Sequence, residues 1–283
     1  MRRRHHRGRV PLMAGLAAVL FVTAASACAG GGPADGGGSA GSSAPASERL
    51  DQAALIRALE VTRAVQSGRV EVTTAITELG HQPDPPPGGR LTVAAYRVAF
   101  DRRVARVEVE VDLSAAELAA SGAGLRAGEA AAGGEARRAA RLIAADGMVY
   151  AQGGPMAAAG RTPGDWVAVD RTAFEARRPS DDAAALLLDP LGPFRVLADA
   201  TGDARVVGHD VIRGSPVTHV ATSADAGGSA AQADAWVDAD GVIRRMEIRL
   251  SGADRAGVGG VVTTVELFDI GRAVAITPPR GGQ

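Results

Sequence analysis

The sequence predicts an α+β fold dominated by antiparallel strands, carried outside the cell on a short leader. Three observations support this. Apolar and polar residues alternate with period two along several segments, and Gly- or Pro-containing turns separate those segments closely enough to make hairpins. One amphipathic helix precedes the strands and two short helices interrupt them, with no βαβ rhythm and no internal repeat. The first 27 residues differ in composition from everything after them.

The leader comes first. Residues 1–9, MRRRHHRGR, are strongly basic, and residues 12–22, LMAGLAAVLFV, are apolar or small. Ala25-Ser26-Ala27-Cys28 follows, a small-residue cleavage site ahead of the only cysteine. This order is that of a secretory signal peptide over residues 1–27. The position of Cys28 resembles a bacterial lipobox, with Ala25 where Leu usually stands. That resemblance implies a diacylglyceryl group on the Cys28 thiol and cleavage that makes Cys28 the N-terminus. An uncleaved anchor is the alternative, because residues 10–34 carry no charge. Against it, apolarity fades after Val22 into Thr, Ala, Ser and Gly. Residues 28–46 then form a Gly/Ser-rich tether, leaving residues 47–279 as a single folded domain.

Within the domain, Ser47 is a suitable N-cap, with Glu48 and Asp51 in the first turn. Ala54, Leu55, Ala58, Leu59, Thr62 and Val65 share one face, and Gly68 suits the stop, which predicts a helix over 48–66. Val70, Val72, Thr74 and Ile76 alternate with polar or small residues as a strand. Residues 80–89 read as a loop and 91–100 as a second strand. Val107, Val109 and Val111 alternate with Glu108, Glu110 and Asp112, the clearest half-buried strand of the chain. Residues 114–136 are Ala- and Gly-rich, with a short helix expected near 114–120. A hairpin over 139–151 turns at Asp146-Gly147, and Trp166 to Asp170 is a short strand. Pro190 and Pro193 break residues 181–199 into two short helices. Hairpins over 204–222 and 233–250 turn at Arg213-Gly214 and Asp240-Gly241, and Val261 to Phe268 is the last strand. Strands with one apolar face suggest a curved sheet that covers something on one side.

Composition narrows the chemistry. Lysine is absent, so all 31 basic residues are Arg, and a Walker A loop and a Schiff-base lysine are excluded. Cys28 leaves no other thiol for a nucleophile or a disulfide. Beyond the leader, 26 Arg face 32 acidic residues, a balance poorly suited to nucleic acid. His209 and His219 sit on one predicted hairpin and could face each other across it, but no third ligand has metal-site spacing. Asp238-Ala239-Asp240-Gly241 has Trp236 where a calcium loop would need an acid or Asn, so it reads as a turn. No cofactor motif, metal site or catalytic constellation is expected.

Several fragments together resemble the LolA/LppX-like lipoprotein superfamily, most closely its LppX/LprG-type members. These are Asp146-Gly147-Met148-Val149-Tyr150, Trp166-Val167-Ala168-Val169-Asp170 and Leu188-Asp189-Pro190-Leu191. They continue with Gly208-His209-Asp210-Val211-Ile212-Arg213-Gly214, the run from Ala235 to Arg245, and Val265 to Gly271 with Thr277-Pro278-Pro279. The resemblance implies an antiparallel half-barrel wrapped over a few helices, enclosing an apolar cavity for lipids or glycolipids, with no catalytic residues. It implies anchoring at the extracytoplasmic face of the cell membrane through Cys28, and an envelope transporter or other envelope protein as a further partner. The candidate lining residues are Val70, Val72, Ile76, Val107, Val109, Val111, Val237 and Ile243. A register slip of one residue would turn any of these rows outward. The rival reading is a signalling or scaffold lipoprotein that binds another envelope protein without cargo.

Overall fold

Two antiparallel meanders meet at the centre of one eleven-stranded sheet, in the order β6-β5-β4-β3-β2-β1-β11-β10-β9-β8-β7. The computed structural model describes residues 52–77, 91–113, 138–153, 165–176, 182–200, 202–225, 230–251 and 260–279. Cys28, the tether, the expected loop at 80–89 and the expected helix near 114–120 lie outside these residues. The strands are β1 Ser67–Ile76, β2 Leu91–Asp101, β3 Arg106–Leu113, β4 Arg138–Ala145, β5 Met148–Gln152 and β6 Trp166–Asp170. The second meander is β7 Arg205–Ile212, β8 Ser215–Asp225, β9 Ala230–Asp238, β10 Ile243–Ser251 and β11 Gly260–Phe268. The first meander walks outward from β1 to β6. The second starts at the opposite edge and returns to β1, where Val72 lies opposite Val265.

The turns explain the direction of travel. Asp146-Gly147 and Arg213-Gly214 are two-residue connections in which both residues have positive φ, 53° and 78° in one and 49° and 82° in the other. Such turns match the twist of paired strands and hold them antiparallel. Between β9 and β10, the Asp238 carboxylate accepts from the N–H groups of Asp240 and Val242 (3.0 and 2.9 Å), so this is a capped hairpin turn as expected.

Helices α1 Gln52–Arg63, α2 Arg171–Ala176 and α3 Asp182–Leu188, with a 3-10 helix at Gly192–Asp199, pack on one face of the sheet. Helix α1 buries Leu55, Ala58, Leu59 and Thr62, the stripe its periodicity predicts. Thr62 Oγ1 also accepts from the Ile243 N–H at 2.9 Å, beside a register shift in β10. Helix α3 contributes Ala184, Leu186 and Leu187 and packs over β2, β3 and β4. Pro193 opens the 3-10 helix, which buries Phe194 and Leu197 against the same core.

Helix α2 was not expected from the sequence. Two local signals support it: the Asp170 carboxylate accepts from the Ala173 N–H at 3.0 Å, and Arg171 pairs with Glu175 four residues on. Polar contacts tie the helix ends to the rims. Gln52 Nε2 donates to the Ala200 carbonyl at one rim, and at the other Arg102 donates to the Arg63 carbonyl and pairs with Asp189. After β11 the chain crosses the opposite face of the sheet. There Val274 and Ile276 pack on Ile143 and Ala145, and Arg106 donates to the Ile276 carbonyl.

Candidate functional site: the concave face of the sheet

Alternation sorts the side chains of the strands by charge. The row that faces the helices runs through Val149 and Ala151 on β5, Leu142 and Ala144 on β4, and Val107, Val109 and Val111 on β3. It continues through Tyr96, Val98 and Phe100 on β2, Val70 and Val72 on β1, and Val265 and Leu267 on β11. Met246 and Ile248 on β10, Ala233 and Ala235 on β9, and Val220 and Ala224 on β8 complete it. Among the described strand side chains, none in this row is Arg, Asp or Glu. Its polar members are hydroxyls, such as Thr74 and Thr263 facing each other at 3.3 Å, and the exposed His209. This face can offer dispersion contacts and dryness, and almost no hydrogen bonds or charge.

The predicted lining residues converge here. Val70, Val72, Val107, Val109, Val111 and Ile243 are buried in one continuous cluster with the helices, and Val237 is partly buried against it. Ile76 is half-buried at the far end of the β1 row. Val237 and Ile243 lie opposite each other across β9 and β10.

The convex face holds the charges. Arg141 pairs with Glu108, and Arg245 with Glu266. Asp234, nearly inaccessible, accepts from Arg249 and contacts His219 at 2.9 Å. The His219 ring stacks on Trp236 with centroids 4.3 Å apart. Burial pushes the Glu266 carboxyl up, but hydrogen bonds from Arg245 and Arg213 outweigh it and hold the group below its ordinary range. At the β2–β3 turn, hydrogen bonds from the Arg103 side chain hold Asp101 down in the same way.

His209 and His219 do not meet. The two-residue turn pairs Ile212 with Ser215, and in the same register Gly208 lies opposite His219 and His209 opposite Thr218, so the two imidazoles project from opposite faces. Among the described residues no group of three His, Cys, Asp or Glu is arranged to hold a metal. A hollow of about 240 Å³ on the convex face is lined by mixed charges, including Arg69, Glu71, Arg97, Glu110 and Arg141. The charged network and the strap over Ile143 were invisible to sequence reading, because their partners lie far apart in the chain.

No family model and no curated relative matches this chain. It is similar to three solved structures, among others. LprF from Mycobacterium bovis shares 15% identity at a TM-score of 0.48, over 81% of this chain and 97% of that one. The Mycobacterium tuberculosis lipoprotein LppX shares 13% at 0.43, over 80% and 97%. A LolA superfamily protein from Nitrosomonas europaea shares 11% at 0.25, over 81% and 94%. The likeness is one of fold, and similarity of this degree assigns no cargo and no partner. The architecture itself, an open antiparallel sheet with helices on one face, is the one expected from the sequence.

Proposed function

We propose that this chain is a membrane-anchored lipoprotein that binds or carries lipids, glycolipids among them, in the cell envelope. Residues 1–27 direct export, Cys28 takes the diacylglyceryl group, residues 28–46 tether, and residues 47–279 form the binding domain. The observation that carries the reading is the uncharged concave row of the sheet, aliphatic for most of its length. Acyl chains bind through dispersion and exclusion of water, so a container for them needs few aromatic platforms and no ionised groups. Placing every Arg, Asp and Glu of the described strand side chains off this row supports that use. The protein would act by holding cargo, with no chemical step.

The anchor fits the same reading. Helix α1 starts beside Ala200, at the rim opposite the tight hairpin turns. A Gly-rich tether of this length has a root-mean-square reach on the order of 25 Å, which keeps the domain within contact of the bilayer. Native mass spectrometry of the full chain, extracted from its own membrane, tests the reading. A covalent diacylglyceryl mass lost in Cys28→Ser, together with a non-covalent lipid mass on the domain, is the expected result. Unchanged membrane retention and processing in Cys28→Ser would refute the anchor. Protein that carries no lipid through mild extraction and takes none from vesicles would refute the carrier.

A further inference from the structure

We propose that an acyl chain enters the domain over the inner face of the β7–β8 edge, a corner that Arg213 holds turned outward. The proposal rests on the carrier reading above and adds a route to it. The residues form a gradient of exposure along one face. Val211, opposite Pro216 at the hairpin tip, is 61% exposed. His209 and Thr218 come next, Thr218 lies opposite the half-buried Val237, and Val237 lies opposite Ile243, which is fully buried. A path therefore runs from solvent past His209 and Thr218 to the aliphatic core without crossing an Arg, Asp or Glu side chain.

The corner is uncovered because the hairpin bends the other way. Arg213, in the turn, donates to Glu71 at 2.7 Å and to Glu266 at 2.9 Å, and its guanidinium lies 3.9 Å from the Phe268 ring centroid. Those partners stand on β1 and β11, beyond β9 and β10 in the sheet order. The tip must therefore lie over the convex side, where Ile212 and Val217 pack with Trp236. On the concave side the 3-10 helix meets β8 near its far end, where Ala200 bridges Ala224. Nothing described covers Val211. An added strand fits this edge poorly at its tip, because the Val211 N–H is already taken by the Asp210 carboxylate at 2.7 Å. The occupant that suits the path is the one that suits its end, an unbranched aliphatic chain moving from exposed to buried surface.

The test is stopped-flow uptake of cis-parinaric acid, a fluorescent fatty acid, by the full chain in detergent-free vesicles. Val211→Asp should slow uptake roughly tenfold, the effect of about 1.4 kcal/mol on the barrier. The melting temperature should stay unchanged, because the side chain is mostly in water. Arg213→Ala should also slow uptake, since the released tip can fold inward and bury Val211. Val104→Asp, at an equally exposed valine in the β2–β3 turn, should leave uptake alone. An unchanged rate in Val211→Asp or Arg213→Ala, or equal slowing in Val104→Asp, overturns the port while leaving the carrier reading intact. A parent protein that takes up no fatty acid overturns both.

Discussion

Thr62→Val isolates the bond that docks helix α1 onto the sheet. Thr62 is fully buried, and its hydroxyl donates to the Ala58 carbonyl at 2.7 Å while accepting from the Ile243 N–H at 2.9 Å. Valine has nearly the same shape, so packing is retained and the bond to Ile243 is lost. The Ala58 carbonyl keeps its place in the helix, whereas the Ile243 N–H, beside a register shift in β10, is left without its acceptor in a dry environment. An unsatisfied buried donor costs about 1–3 kcal/mol. For a domain of this size, 1 kcal/mol moves the midpoint by about 2–4 °C. The expected loss is therefore about 2–12 °C, read by calorimetry and checked against equilibrium urea unfolding. Amide exchange at Ile243 should accelerate. Thr62→Ser keeps the hydroxyl and should lose only about 0.8 kcal/mol for the missing methyl. A Val variant as stable as the parent, or a Ser variant as unstable as the Val variant, would refute this account of the docking.

Val109 is inaccessible between Val98 and Leu142, so Val109→Trp should destabilise cargo-free protein by about 1–3 kcal/mol if the interior is packed there; the carrier reading expects instead lost lipid binding with nearly unchanged melting, and a sharp stability loss in a protein that carries no lipid would refute it. Glu266→Gln should cost stability above pH 4.5, the ordinary carboxyl value, since the folded group is held lower by Arg245 and Arg213. A depressed carboxyl contributes fully above its unfolded value and loses that contribution as pH falls through its folded value. The gap between parent and Glu266→Gln should therefore narrow below pH 4.5, and a gap independent of pH in urea titrations would refute the assignment.

Much of the architecture was legible locally. The alternation of Val107, Val109 and Val111 with Glu108, Glu110 and Asp112 identified both the strand and its inward face, since a strand sends successive side chains to opposite sides. The turns at Asp146-Gly147 and Arg213-Gly214 were readable because positive φ favours glycine. Pro190 and Pro193 divided the second helical region where α3 gives way to the 3-10 helix. The possible facing of His209 and His219 failed on register alone. The two-residue turn at Arg213-Gly214 pairs Ile212 with Ser215, so His209 falls opposite Thr218, one position from His219 and on the other face. Helix α2, only six residues long, was missed because its cap and single ion pair are too brief to form a periodic pattern.

By itself, the sequence determined where helix α1, most of the described strands and the hairpin turns lie, and which side of the clearest strands is apolar. These properties depend on neighbours a few positions apart and on the geometry of single residues. Only the tertiary structure decided that β1 pairs with β11, that the strands share one continuous concave row, and that Arg213 reaches Glu71, 142 residues away. Such choices turn on which distant surfaces exclude water from one another, and hydrophobic burial has no direction or address in the chain. The alternation says that a face is to be buried; the closing of one meander against the other says against what.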